Sequence, residues 1–272
     1  MILHFVSTRN DFRYGHYLAV LTALKAHRVT DAILWVTEMP EADKFFKKIE
    51  KLVTVKEVKK PNIPHFDWYE EWYKAPLMAD LIRWEKLYEY GGLYLDLDTL
   101  SVTDVTSLLG DKEVCAGREF TDSYHSLAAH CVLAKPKSEI IKWVSEHAKT
   151  QLDNAWDYKV FGIYTPRVCC KRLRMAWGAT APLALGKAYK KFGKEKMAVP
   201  ANHVTCPFCY NTMTDIYKEG AILPQGARIM HCGAHAFKEF YNLVSPTWIR
   251  TSRSPYAVAA KKVLTLEEIQ AE

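Results

Sequence analysis

Short apolar runs and helical segments alternate over the first 55 residues, and that order confines the chain to very few folds. Residues 2–6 read as a buried strand, and 15–27 as a helix with Leu18, Leu21 and Leu24 on one side. Ala32-Ile33-Leu34-Trp35-Val36 reads as a second strand and 52–55 as a third. Between them, 40–49 reads as a helix opened by Pro40, at a position where a missing N–H costs nothing. Strand–helix–strand–helix–strand is the pattern of a parallel sheet covered by helices. The expected fold is therefore α/β: a Rossmann-like single domain with a mainly parallel central sheet flanked by helices.

The next segment interrupts the alternation. Pro61, Pro64 and the aromatics Phe66, Trp68, Tyr69, Trp72 and Tyr73 read as a loop or flap over 60–72. These aromatics serve either to stack a base or sugar or to pack beneath the loop. A helix is predicted over 76–90, with Leu77, Leu81, Trp84 and Tyr88 at helical spacing. Gly91-Gly92 ends it, Leu93-Tyr94-Leu95 is a short strand, and Asp96-Leu97-Asp98 follows directly. Further strands are expected at 113–117, 130–134 and 228–231, and helices at 136–149, 166–176 and 180–192. With no internal repeat or linker, 1–250 reads as one domain, and 251–272 as a tail packed on it or extending from it.

Two aspartates two residues apart on an extended chain point the same way. Placed just beyond an apolar strand, Asp96 and Asp98 sit at the strand's carboxyl end, the edge where open α/β sheets bind ligands. Carboxylate oxygens suit hard cations such as Mn²⁺ and Mg²⁺. The pattern alone also describes two solvated aspartates in a turn, so its surroundings decide. Asp80 and Arg83 lie three apart on the preceding helix, on neighbouring ground and on a part of it expected to face outward.

The whole run is Ala79-Asp80-Leu81-Ile82-Arg83, then Leu87-Tyr88-Glu89-Tyr90-Gly91-Gly92-Leu93-Tyr94-Leu95-Asp96-Leu97-Asp98. It resembles the sugar-binding segment of glycosyltransferase family 32 and of the large clostridial glucosylating toxins, enzymes of the GT-A fold. The resemblance implies transfer of a sugar from a nucleotide-diphosphate donor, a UDP-sugar ahead of a GDP-sugar, to a glycan or other hydroxyl acceptor. It implies retention at the anomeric carbon and dependence on Mn²⁺ or Mg²⁺. Asp80, Arg83, Tyr94 and Asp96 would contact the donor, with Asp96 and Asp98 as the catalytic pair on the metal. Arg228-Ile229-Met230-His231-Cys232-Gly233 resembles a late segment whose histidine reaches the metal or diphosphate, which makes His231 a third metal candidate, with His235 and Lys238 nearby. Ser7, ending the first strand, would meet the donor nucleotide. Asn202 and residues 178–182 fall where the family has an acceptor-side loop. Glu119 and Asp122 follow a predicted strand and could approach the sugar. An inactive sugar-nucleotide- or carbohydrate-binding protein on the same fold is the alternative.

Charge and cysteines narrow the partners. Thirty-seven basic against 31 acidic residues leave a net charge of +6, which favours an anionic partner: a nucleotide diphosphate, an acidic membrane or a nucleic acid. No basic stripe is present, so nucleic acid is not expected, while peripheral membrane contact stays open. No leader-like or membrane-spanning run is seen, and the expected location is cytoplasmic. The seven cysteines then read as free thiols. The competing reading is a structural zinc held by Cys206 and Cys209 with Cys169 and Cys170.

Overall fold

A computed structural model describes all residues except 41–42, 65, 121–122, 155–158, 161–162, 165–177 and 271–272. Strand β1 (Ile2–Ser7) has no face left for water, and it lies inside the sheet. After it come α1 (Tyr14–Ala26), β2 (Asp31–Val36), α2 (Phe46–Ile49), β3 (Thr54–Glu57), α3 (Glu71–Tyr90), β4 (Gly92–Leu95) and β5 (Thr99–Ser101). The second half adds β6 (Val114–Phe120), β7 (Ser123–Ala134), α4 (Glu139–Asn154), a β8–β9 hairpin (Lys159–Val160 and Ile163–Tyr164), α5 (Pro182–Lys196) and β10 (Met197–Ala198). Last are α6 (Asn202–Thr205), β11 (Ile229–His231), α7 (Lys238–Tyr241), α8 (Pro246–Thr251), α9 (Pro255–Val263) and α10 (Leu266–Gln270).

Seven strands form the main sheet in the order β10-β6-β7-β4-β1-β2-β3. Only β7 runs antiparallel to its neighbours, β4 and β6. The α/β class with a mainly parallel sheet flanked by helices is thus the observed one. Alternate residues of β1 feed two cores, as a period of two requires. Leu3 and Phe5 join the cluster built with α1 and the C-terminal helices, and Val6 joins the one built with α3, α4 and α5. Residues beyond 250 are part of the first cluster: Tyr256, Ala257 and Ile269 are buried in it, and Tyr14 Oη donates to the Ile269 carbonyl at 2.5 Å.

The chain lays down β1, β2 and β3 outward, then returns past β1 to place β4 on its other side. Strand order reverses between β1 and β4, and a crevice opens beyond their carboxyl ends. Ser7 ends one of these strands and Asp96 follows the other.

Several elements depart from the sequence reading. Helix 40–49 contracts to α2, with 41–42 outside the described residues, and strand 52–55 shifts to β3 at Thr54–Glu57. α3 starts at Glu71, a turn before Pro76, and the Ala75 carbonyl is taken by Thr8 Oγ1 at 3.0 Å. β7 is 12 residues long, not five, because its polar first half is held by pairing to β6. β5 was not foreseen; it pairs with β11 in a separate two-stranded sheet, so 228–231 lies off the main one. The helix expected at 166–176 lies outside the described residues. No helix among the described residues is long and apolar enough to cross a membrane.

The Gly91-Gly92 turn that ends α3 sets where β4 begins. Gly92 has φ +104°, and a Cβ there would collide with the Ile2 carbonyl of β1. Gly92→Ala should lower stability by about 2–4 kcal/mol, measured by urea unfolding. An unchanged midpoint would show that the β1–β4 junction tolerates a side chain.

Candidate active site

The acidic pair is held by backbone on both sides. Asp96 N–H donates to the His130 carbonyl of β7 at 3.0 Å, and the Asp96 carbonyl accepts from Thr99 N at 3.0 Å, closing a tight turn. The Asp98 carbonyl accepts from Cys232 N at 2.9 Å, and its Oδ2 accepts from Ala234 N at 2.7 Å. The loop after β11 therefore clasps Asp98, although 136 residues separate Asp98 from Ala234.

Arg83 organises the other side. Its Nη2 lies 3.2 Å from Asp80 Oδ1 and 3.2 Å from Asp96 Oδ1, and its Nη1 donates to the Ala129 carbonyl at 2.7 Å. The guanidinium stacks 4.3 Å from the Tyr94 ring centre, and Tyr94 Oη donates to Asp96 Oδ1 at 2.6 Å. Asp80 Oδ2 accepts from Thr180 Oγ1 at 2.7 Å. The sequence reading set Asp80 and Arg83 on an outward-facing part of α3. They are instead 7% and 5% exposed, because α3 packs this face on β4 and β7. Burial pushes the Asp80 carboxyl up to about 6, against the pull of Arg83 and Thr180.

His231 completes the group. Its Nε2 lies 3.3 Å from Asp98 Oδ1 and 3.8 Å from Asp96 Oδ2. Its ring stacks on His130 at 4.5 Å, nearly parallel at 8°. His130 Nε2–H donates to the Thr205 carbonyl at 2.7 Å, which fixes that imidazole's tautomer. Burial, then the neighbouring His231, pushes His130 down to about 3, so it stays neutral. For His231, burial lowers the pKa but the Asp98 and Asp96 charges outweigh it and lift it to about 9. For Asp98, burial acts upward but His231 and the Ala234 N–H hold the carboxyl well below its ordinary range.

These groups line one cleft of about 340 Å³ at the β1/β4 switch point. Ser7 borders it, with Oγ turned to the Arg9 carbonyl at 2.7 Å. Arg9 and Arg13 form a basic stretch at its β1 end, which the sequence reading missed, and His16 lies beside them as a neutral imidazole whose pKa burial pushes down to about 4. The rule that ligands sit beyond the first strand of such a sheet would have pointed to Arg9 and Arg13. His130 was also missed, and only its position one layer behind His231 reveals it. Glu119, His235, Ala181 and Pro182 border the cleft; Asn202 and Lys238 do not, and Asp122 lies outside the described residues.

Two further expectations divide. In the aromatic segment, Tyr69 and Tyr73 are core packing, whereas Trp72 is 41% exposed and stacks on His235 at 6.2 Å. Cys206 and Cys209 are free thiols. Among the described residues the one group able to hold a metal ion is Asp96, Asp98 and His231, whose ligand atoms all lie within 4.8 Å of one another. Cys169 and Cys170 fall outside the described residues.

A mainly parallel sheet with an aspartate pair at its carboxyl edge is the arrangement that the resemblance of residues 79–98 to the GT-A glycosyltransferases implied. Residues 16–115 match the family described as "Glycosyltransferase sugar-binding region containing DXD motif". Similar solved structures include one titled PaToxG Glycosyltransferase, at 16% identity and TM-score 0.47, with 70% of this chain and 68% of that chain covered. Another is the glycosyltransferase GlyE of Streptococcus pneumoniae TIGR4, at 15% identity and TM-score 0.48, with 98% of this chain covered. Its apo form gives 15% and 0.49. This chain spans 61% of the length of the GlyE chains. No curated protein matches the chain.

The His231–Asp98 pair makes stability depend on pH when no metal is bound. Because the folded-state pKa of His231 is raised, its contribution is full below the ordinary value of 6.5 and is lost as pH rises through about 9. The metal-free protein should lose on the order of 1–2 kcal/mol between pH 6.5 and 9.5. In His231→Gln that loss should shrink, as followed by thermal unfolding in EDTA across the range. Parallel pH curves for the two proteins would contradict the pairing.

Proposed function

We propose that the protein is a divalent-metal-dependent glycosyltransferase that takes a hexose from a nucleotide-diphosphate donor, a UDP-sugar ahead of a GDP-sugar, and passes it to an acceptor hydroxyl. The observation that carries the reading is the division of labour on the two carboxylates. On Asp96, Oδ1 is held by Arg83 and Tyr94, which leaves Oδ2 toward His231. On Asp98, Oδ2 is held by Ala234 N–H, which leaves Oδ1 toward His231. Each aspartate thus keeps one oxygen fixed and turns the other to a common point with an imidazole nitrogen. Two hard oxygens and one borderline nitrogen suit Mn²⁺ or Mg²⁺ and leave further coordination positions for phosphate. When bound, such a cation stabilises negative charge on the departing diphosphate.

The remaining residues do the positioning. Arg9 and Arg13 set positive charge at the β1 end, where the diphosphate and nucleoside would lie, and main-chain groups around Ser7 and Thr8 border the same space. Arg83 and Asp80 are buried against each other at the cleft wall, where the sugar would lie. Their ion pair, with the hydrogen bonds Arg83 donates to Ala129 and Asp96 and the one Asp80 accepts from Thr180, preorganises them before substrate arrives. Retention of the anomeric configuration is the expected outcome, by resemblance of the segment 79–98 to retaining transferases.

The inactive binding protein predicts sugar-nucleotide binding without turnover. Incubating the protein with a panel of sugar nucleotides and Mn²⁺, and measuring release of free nucleoside diphosphate, separates the two. Hydrolysis should appear with at least one donor and vanish in EDTA. Asp98→Asn should reduce it by at least a hundredfold, since a charge at the metal and one organised donor set are lost together. Arg83→Ala should cost about 1.5–3 kcal/mol in transition-state binding, and also some stability, because it leaves Asp80 buried without its cation. Turnover in EDTA, or full activity of Asp98→Asn, would sink the reading.

A further inference from the structure

Five carboxylates line the cleft, and four of them have a cationic partner. Asp11 pairs with Arg13 at 3.4 Å, Asp80 and Asp96 share Arg83, and Asp98 faces His231. Glu119 is the exception: among the described residues it makes no ion pair. One of its oxygens, Oε2, accepts a short hydrogen bond from Ser126 of β7, and Oε1 has no described donor. Burial raises its pKa, and Ser126 and the more distant His231 only partly offset that. A half-buried carboxylate without a cation is costly to keep, so its free oxygen points to a ligand.

The sheet order tells which ligand. Across the cleft lie β1 with the basic stretch, then β4 with the acidic pair, then β7, then β6 with Glu119. Neighbouring strands are about 4.8 Å apart, so β6 lies roughly 10 Å beyond β4, on the side away from Arg9 and Arg13. On the glycosyltransferase reading, that end lies past a sugar held at Asp80 and Arg83, where its recipient would enter. Register shifts between Ala116 and Phe120 bend the β6–β7 pair there, a device that re-aims side chains.

A second side chain borders the same cleft. Tyr210 lines the cleft yet is 58% exposed, with its ring held against Phe237 at 5.4 Å. Its loop rises from α6, which sits directly on β6: a Cβ on Gly117 would run into Thr205 Oγ1. The Thr205 carbonyl is also fastened by His130. The ring is therefore presented by an anchored segment on the strand that carries Glu119.

We propose that Glu119 and Tyr210 form the acceptor subsite and that the acceptor is a carbohydrate. An aromatic face that takes the C–H side of a pyranose, beside a carboxylate that accepts its hydroxyls, matches both chemistries of a sugar ring. A peptide backbone could give the carboxylate an N–H donor but has no C–H face to lay on the ring, so it meets only one half of the pairing. This inference deepens the glycosyltransferase reading and rests on it for the direction of transfer, but not for the binding itself.

The test has two arms. In the first, binding of neutral oligosaccharides and of serine-, threonine- and tyrosine-containing peptides is read by ligand-detected NMR, without donor or metal. Oligosaccharide binding should be seen, with Tyr210→Ala and Glu119→Gln each weakening it at least fivefold, and both variants should keep the parent's near-UV dichroism. In the second, transfer and donor hydrolysis are measured together with Mn²⁺. Both variants should raise the acceptor KM and lower the ratio of transfer to hydrolysis at least fivefold. Selective binding of peptides, or hydrolysis and transfer falling in step, would overturn the assignment. Oligosaccharide binding lost in the variants, with no donor turnover by the parent, would uphold the subsite and reject the transferase.

Discussion

Everything at the cleft hangs on one buried guanidinium. Arg83 reaches a carboxylate of its own helix, a carboxylate beyond the next strand, and a backbone carbonyl of β7, while its face lies on Tyr94. It thereby locks α3, the β4 turn and the antiparallel strand into one unit. A cation this deep is tolerated only because each neighbouring acceptor is fixed and well aligned. Among the described residues its Nε has no partner, so the geometry favours the two carboxylates over full satisfaction of the arginine. Removing either aspartate would expose the rest of the network to an uncompensated buried charge.

From that lock follows the asymmetry of the two aspartates. Asp96 belongs to the α3–β4 side and is held by side chains; Asp98 belongs to the β11 side and is held by main-chain N–H groups. The short β5–β11 sheet joins the two halves, with Thr99 opposite His231. His130 packs flat on His231 from below and is itself tied to Thr205. The imidazole is thus oriented by packing rather than by a hydrogen bond of its own to the backbone. Such support is what keeps a binding constellation from being loose by an ångström.

The core of this arrangement was readable along the chain where it is local. The parallel start, the Gly91-Gly92 break and the position of Asp96 and Asp98 at a strand end all rest on short-range periodicity and turn chemistry, and the structure has them there. The burial of Asp80 and Arg83 was misjudged because a helix sequence gives charged residues no inward side until its neighbours are known. β5 and the first half of β7 escaped because their residues, such as Thr99, Ser101 and Ser126, carry no apolar pattern and are strands only through their partners.

By itself, then, the sequence determined an α/β sheet and the chemistry at one strand end, since local propensity and a contiguous motif are properties of neighbouring residues. Tertiary structure decided what shares a cleft with that motif. His231 meets Asp98, Thr180 meets Asp80, and Tyr210 and Glu119 line one cleft only because segments distant in sequence are adjacent in space. Burial of Arg83 was decided in the same way: a charge is held inside by partners drawn from separate segments, and no single segment records that.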